Sequence, residues 1–329
     1  MKPMSQIRSL RLYPLRIPLR KPIGHAAHER RAADPVVLQI ELADHTVGYG
    51  ETLPRTYVSG ESVDSVLANM QEAFGGFLLD FRPRNFPDAL ELIDNLPYHN
   101  EKGEAITAAR AMVEMALLDA CSRHFKRRLN EAVGWLGLPG FGPPGCVKRL
   151  RYSGVVTHQP VGKLKSSVKK MWWYGLRDFK LKVGFDDDIE RIQAVADALG
   201  RSLGETTTLR LDANGGWTLE RAMEVLDAVE DIPISCVEQP LPSGQEHVVQ
   251  RLKKAVSVDV MHDESLVTFE DAERLLDLGV ADAFNIRLAK NGGFLAGVRL
   301  AHFAAKNGVV WQLGCMVGET SILSAAGRK

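Results

Sequence analysis

The sequence predicts a parallel α/β protein, a β/α barrel preceded by a smaller α+β module. Two observations carry this. Beyond residue 148, short apolar runs alternate with helical patterns six times over. Three of those runs end in an acid: Asp212 in Leu-Arg-Leu-Asp-Ala-Asn, Glu238 in Ser-Cys-Val-Glu-Gln-Pro and Asp263 in Val-Met-His-Asp-Glu-Ser. These acids stand 26 and 25 residues apart, about one βα unit each. In a closed barrel they would sit at the C-terminal ends of successive strands and face one spot, where such barrels keep their active sites. An open sheet would instead gather ligands at a switch point. Converging carboxylates need a cation, and oxygen ligation suits Mg²⁺, with Mn²⁺ as a substitute.

Strands are expected at 5–19, 35–43 and 46–51, the last two joined by the turn Ala43-Asp44-His45-Thr46. Helices follow at 61–79, 87–95 and 104–124. The third places Ile106, Ala109, Val113, Ala116, Leu117 and Ala120 on one face. Residues 1–135 thus form the first domain. Residues 136–148, rich in Gly and Pro, form a linker, and 149–329 form the barrel. Barrel strands are placed at 150–156, 178–183, 207–212, 234–238, 258–263, 282–287 and 309–313. The helices between them lie near 161–174, 187–200, 218–230, 245–255, 268–278 and 293–306, and a seventh begins near Glu319. That is seven units where a barrel needs eight strands. The expectation is therefore a chain that stops short of strand eight, with about 30–60 further residues needed to complete it.

Composition excludes little. The 329 residues are 45% hydrophobic and 25% charged, the ordinary globular range. Lys+Arg and Asp+Glu both number 41, so charge gives no sign of nucleic acid or membrane binding. Cys121, Cys146, Cys236 and Cys315 are widely spaced and read as reduced thiols in a cytoplasmic protein. The expected partner is a small carboxylate substrate, and the expected assembly a homo-oligomer.

Alternation puts Lys180 and Lys182, in Phe-Lys-Leu-Lys-Val-Gly, on one face of the second barrel strand. Two lysines in a barrel mouth need acids or a bound anion beside them. A lysine whose charge is suppressed by neighbouring cations is a competent general base. Each acid alone has a plainer reading, since Asp212 and Asp263 could cap the helices that follow. Three at one-unit spacing favour metal ligation.

Phe-Lys-Leu-Lys-Val-Gly, Leu-Asp-Ala-Asn-Gly-Gly-Trp, Val-Glu-Gln-Pro-Leu, Asp-Glu-Ser and Asn-Ile-Arg-Leu-Ala-Lys-Asn-Gly-Gly occur in that order. The set resembles the enolase superfamily in its muconate-lactonizing-enzyme subgroup, and the likeness extends to Gly48-Tyr49-Gly50-Glu51. The resemblance implies a (β/α)₇β modified TIM barrel with an N-terminal α+β capping domain. It implies Mg²⁺ held by Asp212, Glu238 and Asp263, and abstraction of a proton α to a carboxylate to give a metal-bound enolate. Pairing a Lys or His base with Mg²⁺ is the established pattern of that superfamily. Lys182 fits the base and Lys180 the supporting cation, with Asn214 and Glu264 beside the substrate.

One position departs from the subgroup. Where a second lysine usually stands on the sixth strand, this chain has Arg287, which stays protonated and accepts protons poorly. Lys290, three residues on, reads as a loop or surface lysine rather than a second base. The expected outcome is therefore one-base chemistry, cycloisomerisation or syn-dehydration, with Arg287 stabilising the enolate. The alternatives are a two-base racemase or epimerase of an amino acid or dipeptide, using Lys182 and Lys290 as its catalytic bases, and a non-catalytic relic. Glu319 is either near the substrate or an acid favoured by the dipole of the seventh helix. Residues 23–31 resemble the capping loop that closes on substrate, where His25, His28, Arg30 and Arg31 could read a carboxylate.

Overall fold

The computed structural model describes residues 5–25, 28–141 and 150–328. Cys146 and most of the expected linker lie outside them. Five strands open the chain: β1 (Ile7–Pro14), β2 (Ile17–His25), β3 (His28–Ala33), β4 (Val36–Leu42) and β5 (Val47–Thr52). They form an antiparallel sheet β1-β4-β5 and a separate pair β2-β3. The single strand expected over 5–19 is two strands. Pro14 and Pro18 lack the N–H a ladder needs. After Pro14 the chain leaves β4 and pairs with β3 instead. The expected capping loop is thus largely paired strand, with His25 opposite His28. The expected turn at 43–46 is present, with His45 at φ 69° and the Thr46 amide donating to Asp44 (2.9 Å).

Helices α1 (Val63–Glu72), α2 (Gly75–Asp80), α3 (Phe86–Asp94), α4 (Thr107–His124) and α5 (Glu131–Leu136) follow. The helix expected over 61–79 breaks at Ala73 and Phe74, just before Gly75 and Gly76 open α2; glycine is the residue type least suited to a helix interior after proline. Helix α4 lies directly on β5. A Cβ at Gly48 or Gly50 would overlap the backbone of Ala120 or Met112, which explains both glycines. The N-cap of α4, Ile106, has no side chain to cap with. Glu61 does that work from outside, accepting the amides of Ala108 (2.5 Å) and Ala109 (3.1 Å). Glu61→Ala should therefore cost about 2 kcal/mol of stability, the range for losing a buried cap. Urea unfolding within 0.5 kcal/mol of wild type would show that water replaces the cap.

The second half alternates: β6 (Ser153–Val156), α6 (Val161–Trp173), β7 (Asp178–Lys182), α7 (Asp188–Leu199), β8 (Thr208–Asp212), α8 (Leu219–Ala228), β9 (Ile234–Glu238), α9 (Glu246–Ala255), β10 (Val260–His262), α10 (Phe269–Asp277), β11 (Ala283–Ile286), α11 (Phe294–Lys306), β12 (Val310–Leu313) and α12 (Ser321–Gly327). The seven strands are parallel and lie in chain order from β6 to β12. The sheet is curled. β8 and β12 are four strands apart, roughly 19 Å in a flat sheet, yet Arg210 donates to Gln312 at 2.5 Å. Outward residues such as Phe179, Leu181, Leu209, Leu211 and Val237 pack under the helices. Inside, Cys236, Met261 and Ala283 form an apolar floor on β9, β10 and β11. The core of the first half continues into Leu288, Phe294, Leu295, Met316 and Leu323, beyond the ends of β11 and β12.

Candidate active site

Period-two alternation builds the site from the floor upward. Two residues after Cys236 comes Glu238, two after Met261 comes Asp263, and two after Ala283 comes Asn285. On β8 the same step leads from Arg210 to Asp212, and on β7 from Lys180 to Lys182. Register then aligns neighbours: Lys180 with Arg210, Lys182 with Asp212, and Asp212 with Glu238. Asp212, Glu238 and Asp263 are each fully buried.

Cations stand between these acids. Lys180 Nζ bridges Asp212 Oδ2 (2.7 Å) and Glu238 (3.2 Å). Lys182 Nζ donates to Asp212 Oδ2 (2.6 Å) and Asn214 Oδ1 (2.7 Å). Glu238 also has Arg210 Nε at ion-pair distance (2.9 Å) and accepts from the Asn285 side-chain amide (2.7 Å). Arg287 donates to Asp263 Oδ2 and lies 3.9 Å from Glu238. Asn214, at φ 47°, spans Lys182 and Glu264, donating to the latter at 3.1 Å. Asn tolerates that left-handed backbone better than most residues.

These contacts set the charges. Burial alone would raise the Asp212 carboxyl, but Lys180 and Lys182 outweigh it and hold it well below the usual range. Asp263 is likewise brought down to about 2 by Arg287 and Lys290 against its burial. Burial works against the Lys180 ammonium, yet Asp212 and Glu238 keep it firmly protonated. Arg287 is held the same way, chiefly by Asp263. Glu264 goes the other way. Burial, then the Asp263 charge, pushes it up to about 7, and its Oε2 is buried with no hydrogen-bond partner among the described residues.

An orphaned acid oxygen beside three buried carboxylates, all hard oxygen donors, fits a divalent cation such as Mg²⁺ in kind. In arrangement, no three acidic, His or Cys side chains close on one point among the described residues. Lys180 bridges Asp212 and Glu238, and Arg287 lies against Asp263.

Lys290 corrects the sequence reading. It is not a surface lysine but 1% exposed. β11 ends at Ile286, and the chain turns so that the Lys290 amide bonds to Arg287 O (2.9 Å). A persisting strand would have sent the side chain away; the turn folds it under Asp263. Glu319 precedes α12 and accepts from the Met316 amide (2.9 Å) and the Ser324 hydroxyl (2.9 Å). Arg30 donates to Tyr57 (3.2 Å), and Arg31 is exposed on β3. His25 is placed only by its backbone on β2. Arg210, Gln239 and Asn285 went unnoticed in the sequence. Arg210 and Asn285 share the inward face with residues already singled out, two positions away, and that spacing was the available signal. Gln239, at φ 41°, accepts the amides of Asp263 and Ser265 (both 3.1 Å), pinning β9 to the end of β10.

Residues 7–134 match the family model for the mandelate racemase/muconate lactonizing enzyme N-terminal domain. Residues 163–328 match that for the enolase C-terminal domain-like fold. An N-succinyl-L-Arg/Lys racemase of Bacillus cereus is 26% identical over 98% of this chain and 83% of its own length. Among solved structures, a muconate lactonizing enzyme of Pseudomonas fluorescens, complexed with muconolactone, superposes with a TM-score of 0.83. It is 26% identical, with 99% of this chain and 84% of that one covered. A dipeptide epimerase of Cytophaga hutchinsonii, complexed with Mg and the dipeptide D-Ala-L-Val, gives 0.80 at 25% identity, covering 98% and 83%. Among the described residues no helix is long and apolar enough to cross a membrane.

Proposed function

Because the chain belongs to the mandelate racemase and muconate lactonizing enzyme family of the enolase superfamily, we propose that it removes the proton α to the carboxylate of a small amino-acid derivative. The substrate class is an N-acyl amino acid or a dipeptide, and the outcome is racemisation or epimerisation. The observation that carries the proton step is Lys182. Its amine sits at the mouth end of β7, aimed by Asp212 and Asn214, with a side chain that is 13% exposed. Lys290, with a fully buried side chain, cannot reach a substrate. The names of the racemase and epimerase relatives support the substrate class, while the muconate lactonizing enzyme supports the shared proton step rather than this outcome.

In the proposed reaction the α-proton passes to the free amine of Lys182 while negative charge develops on the substrate carboxylate; inversion is completed by a proton delivered from solvent water to the opposite face of Cα, and Lys182 returns its proton to solvent. Lys180 and Arg287 supply fixed positive charge beside it, already oriented by their acids. Asp212, Glu238 and Asp263 would hold Mg²⁺, which supplies electrophilic stabilisation of that charge. Asn214 keeps Lys182 in place, and Glu264 keeps Asn214.

One observation favours a second reading. Arg287 occupies the position where a second base would stand, and a guanidinium accepts protons poorly. That suits chemistry on one face only, such as cycloisomerisation or syn-dehydration. Incubation of N-succinyl amino acids and dipeptides in D₂O with Mg²⁺ separates the two. Racemase or epimerase action predicts α-deuterium in both epimers, abolished by a chelator. Label confined to the starting epimer supports the one-face reading. Absence of label from every such substrate counts against both the substrate class and the proton step.

A further inference from the structure

Lys290 takes part in no step of the proposed reaction, yet it is buried beside the acids. Its ammonium donates to the Asp263 carbonyl (2.6 Å), to Asp263 Oδ1 (3.0 Å) and to the Asn285 carbonyl (2.9 Å). An ammonium has three protons, and these acceptors use all three. Nothing is left for a substrate, which the burial would exclude in any case. Both residues it holds also anchor the site from their other ends. The Asp263 amide donates to Gln239, the residue after Glu238 (3.1 Å). The Asn285 side chain donates to Glu238 Oε1 (2.7 Å).

We infer that Lys290 is a positioning residue that fixes Asp263 by its backbone and by Oδ1, so that Oδ2 is the oxygen presented to a cation at the centre of the site. Arg287, which bonds Oδ2, marks where that oxygen points. The same three bonds tie Asp263 through Asn285 to Glu238, so the spacing of two acids is set by one lysine. The inference rests on the reading that these acids hold Mg²⁺.

The sign of one measurement distinguishes positioning from mere charge. A bystander cation acts through Coulomb repulsion alone. Removing it would tighten Mg²⁺ binding, because one positive charge has left the neighbourhood of another. Losing an outer partner that orients a ligand has the opposite sign, typically a 10–100-fold loss of metal affinity. Lys290→Met keeps most of the side chain's volume and removes the donors.

The test is Mg²⁺ titration by calorimetry on the full chain, with a melting curve in chelator to follow the fold apart from the metal. Lys290→Met is expected to bind Mg²⁺ about 10–100-fold more weakly than wild type. Lys290→Gln, which keeps two N–H donors, is expected to fall between them. Should Lys290→Met not fold, Lys290→Gln alone decides, with weaker binding expected. A purely structural lysine would lower the melting temperature and leave the affinity of the folded protein unchanged. Equal or tighter binding in either folded variant overturns the positioning role while leaving the metal reading intact. Absence of Mg²⁺ binding by wild type overturns both.

Discussion

Lys182→Ala is expected to lower α-proton exchange by about 10²–10⁴-fold, the usual contribution of a positioned general base. Lys182 is the lysine at the mouth whose amine is aimed by an acid and an amide. Lys180 stands one pleat deeper, committed to Asp212 and Glu238. The alanine variant should still bind Mg²⁺, since Lys182 contributes no ligand and its removal frees Asp212 Oδ2 of one competing cation. Retained metal affinity with lost exchange would separate a chemical role from collapse of the site. If exchange survives in Lys182→Ala, the base has been misassigned. Arg287→Lys is the complement. It places a titratable amine where the subgroup's second lysine stands, and increased labelling of the second epimer would locate position 287 on the face opposite Lys182.

The grouping of the site residues was legible because it obeys short rules. Strand alternation puts Lys180 with Lys182, and βα spacing puts Asp212, Glu238 and Asp263 at neighbouring strand ends. Both rules act within one element or one repeat. What escaped the sequence depends on where an element stops or what a neighbour does. Lys290 was misread because its direction depends on β11 ending at Ile286, and no glycine or proline marks that end. Asn285 and Gln239 are amides whose worth lies in partners on adjacent strands, invisible along the chain. The β2-β3 pair was missed because residues 17–33 mix prolines, histidines and arginines without a clean apolar alternation. The break after α1 was readable in Gly75-Gly76 and was overlooked. The outcome of the reaction was least legible of all. Arg287 argued for one face, whereas the curated relatives that match nearly the whole chain include racemases and epimerases, a property no strand-end residue spells out.

Glu114→Ala should be the most destabilising change, costing about 3–5 kcal/mol, as expected when one partner of a buried ion pair is removed. Glu114 and Arg110 are both fully buried on α4 and bonded at 2.6 Å. Arg110 also donates to the carbonyls of Leu96 (3.2 Å), Asp94 (3.3 Å) and Gly292, and its guanidinium lies 4.0 Å from the Tyr98 ring centre. Glu114 Oε1 accepts the Leu295 amide (2.8 Å) at the start of α11. The pair therefore bolts the first half of the chain to residues 292–295, just beyond Arg287 and Lys290. The fit is close: Gly293 has φ 116°, and a Cβ there would overlap the Glu114 carboxylate. Alanine leaves Arg110 charged and uncompensated in the core, and leaves the Leu295 amide without its acceptor. Against a typical total of about 5–15 kcal/mol, that loss is a large share of the whole and should lower the unfolding midpoint markedly. Replacing both partners, as Arg110→Met with Glu114→Leu, should recover part of it, because well-packed apolar pairs often match buried ion pairs. Urea unfolding of the single and double variants measures both effects. A single variant within 1 kcal/mol of wild type would mean that water enters this seam and neutralises Arg110, and that the two halves are held together elsewhere.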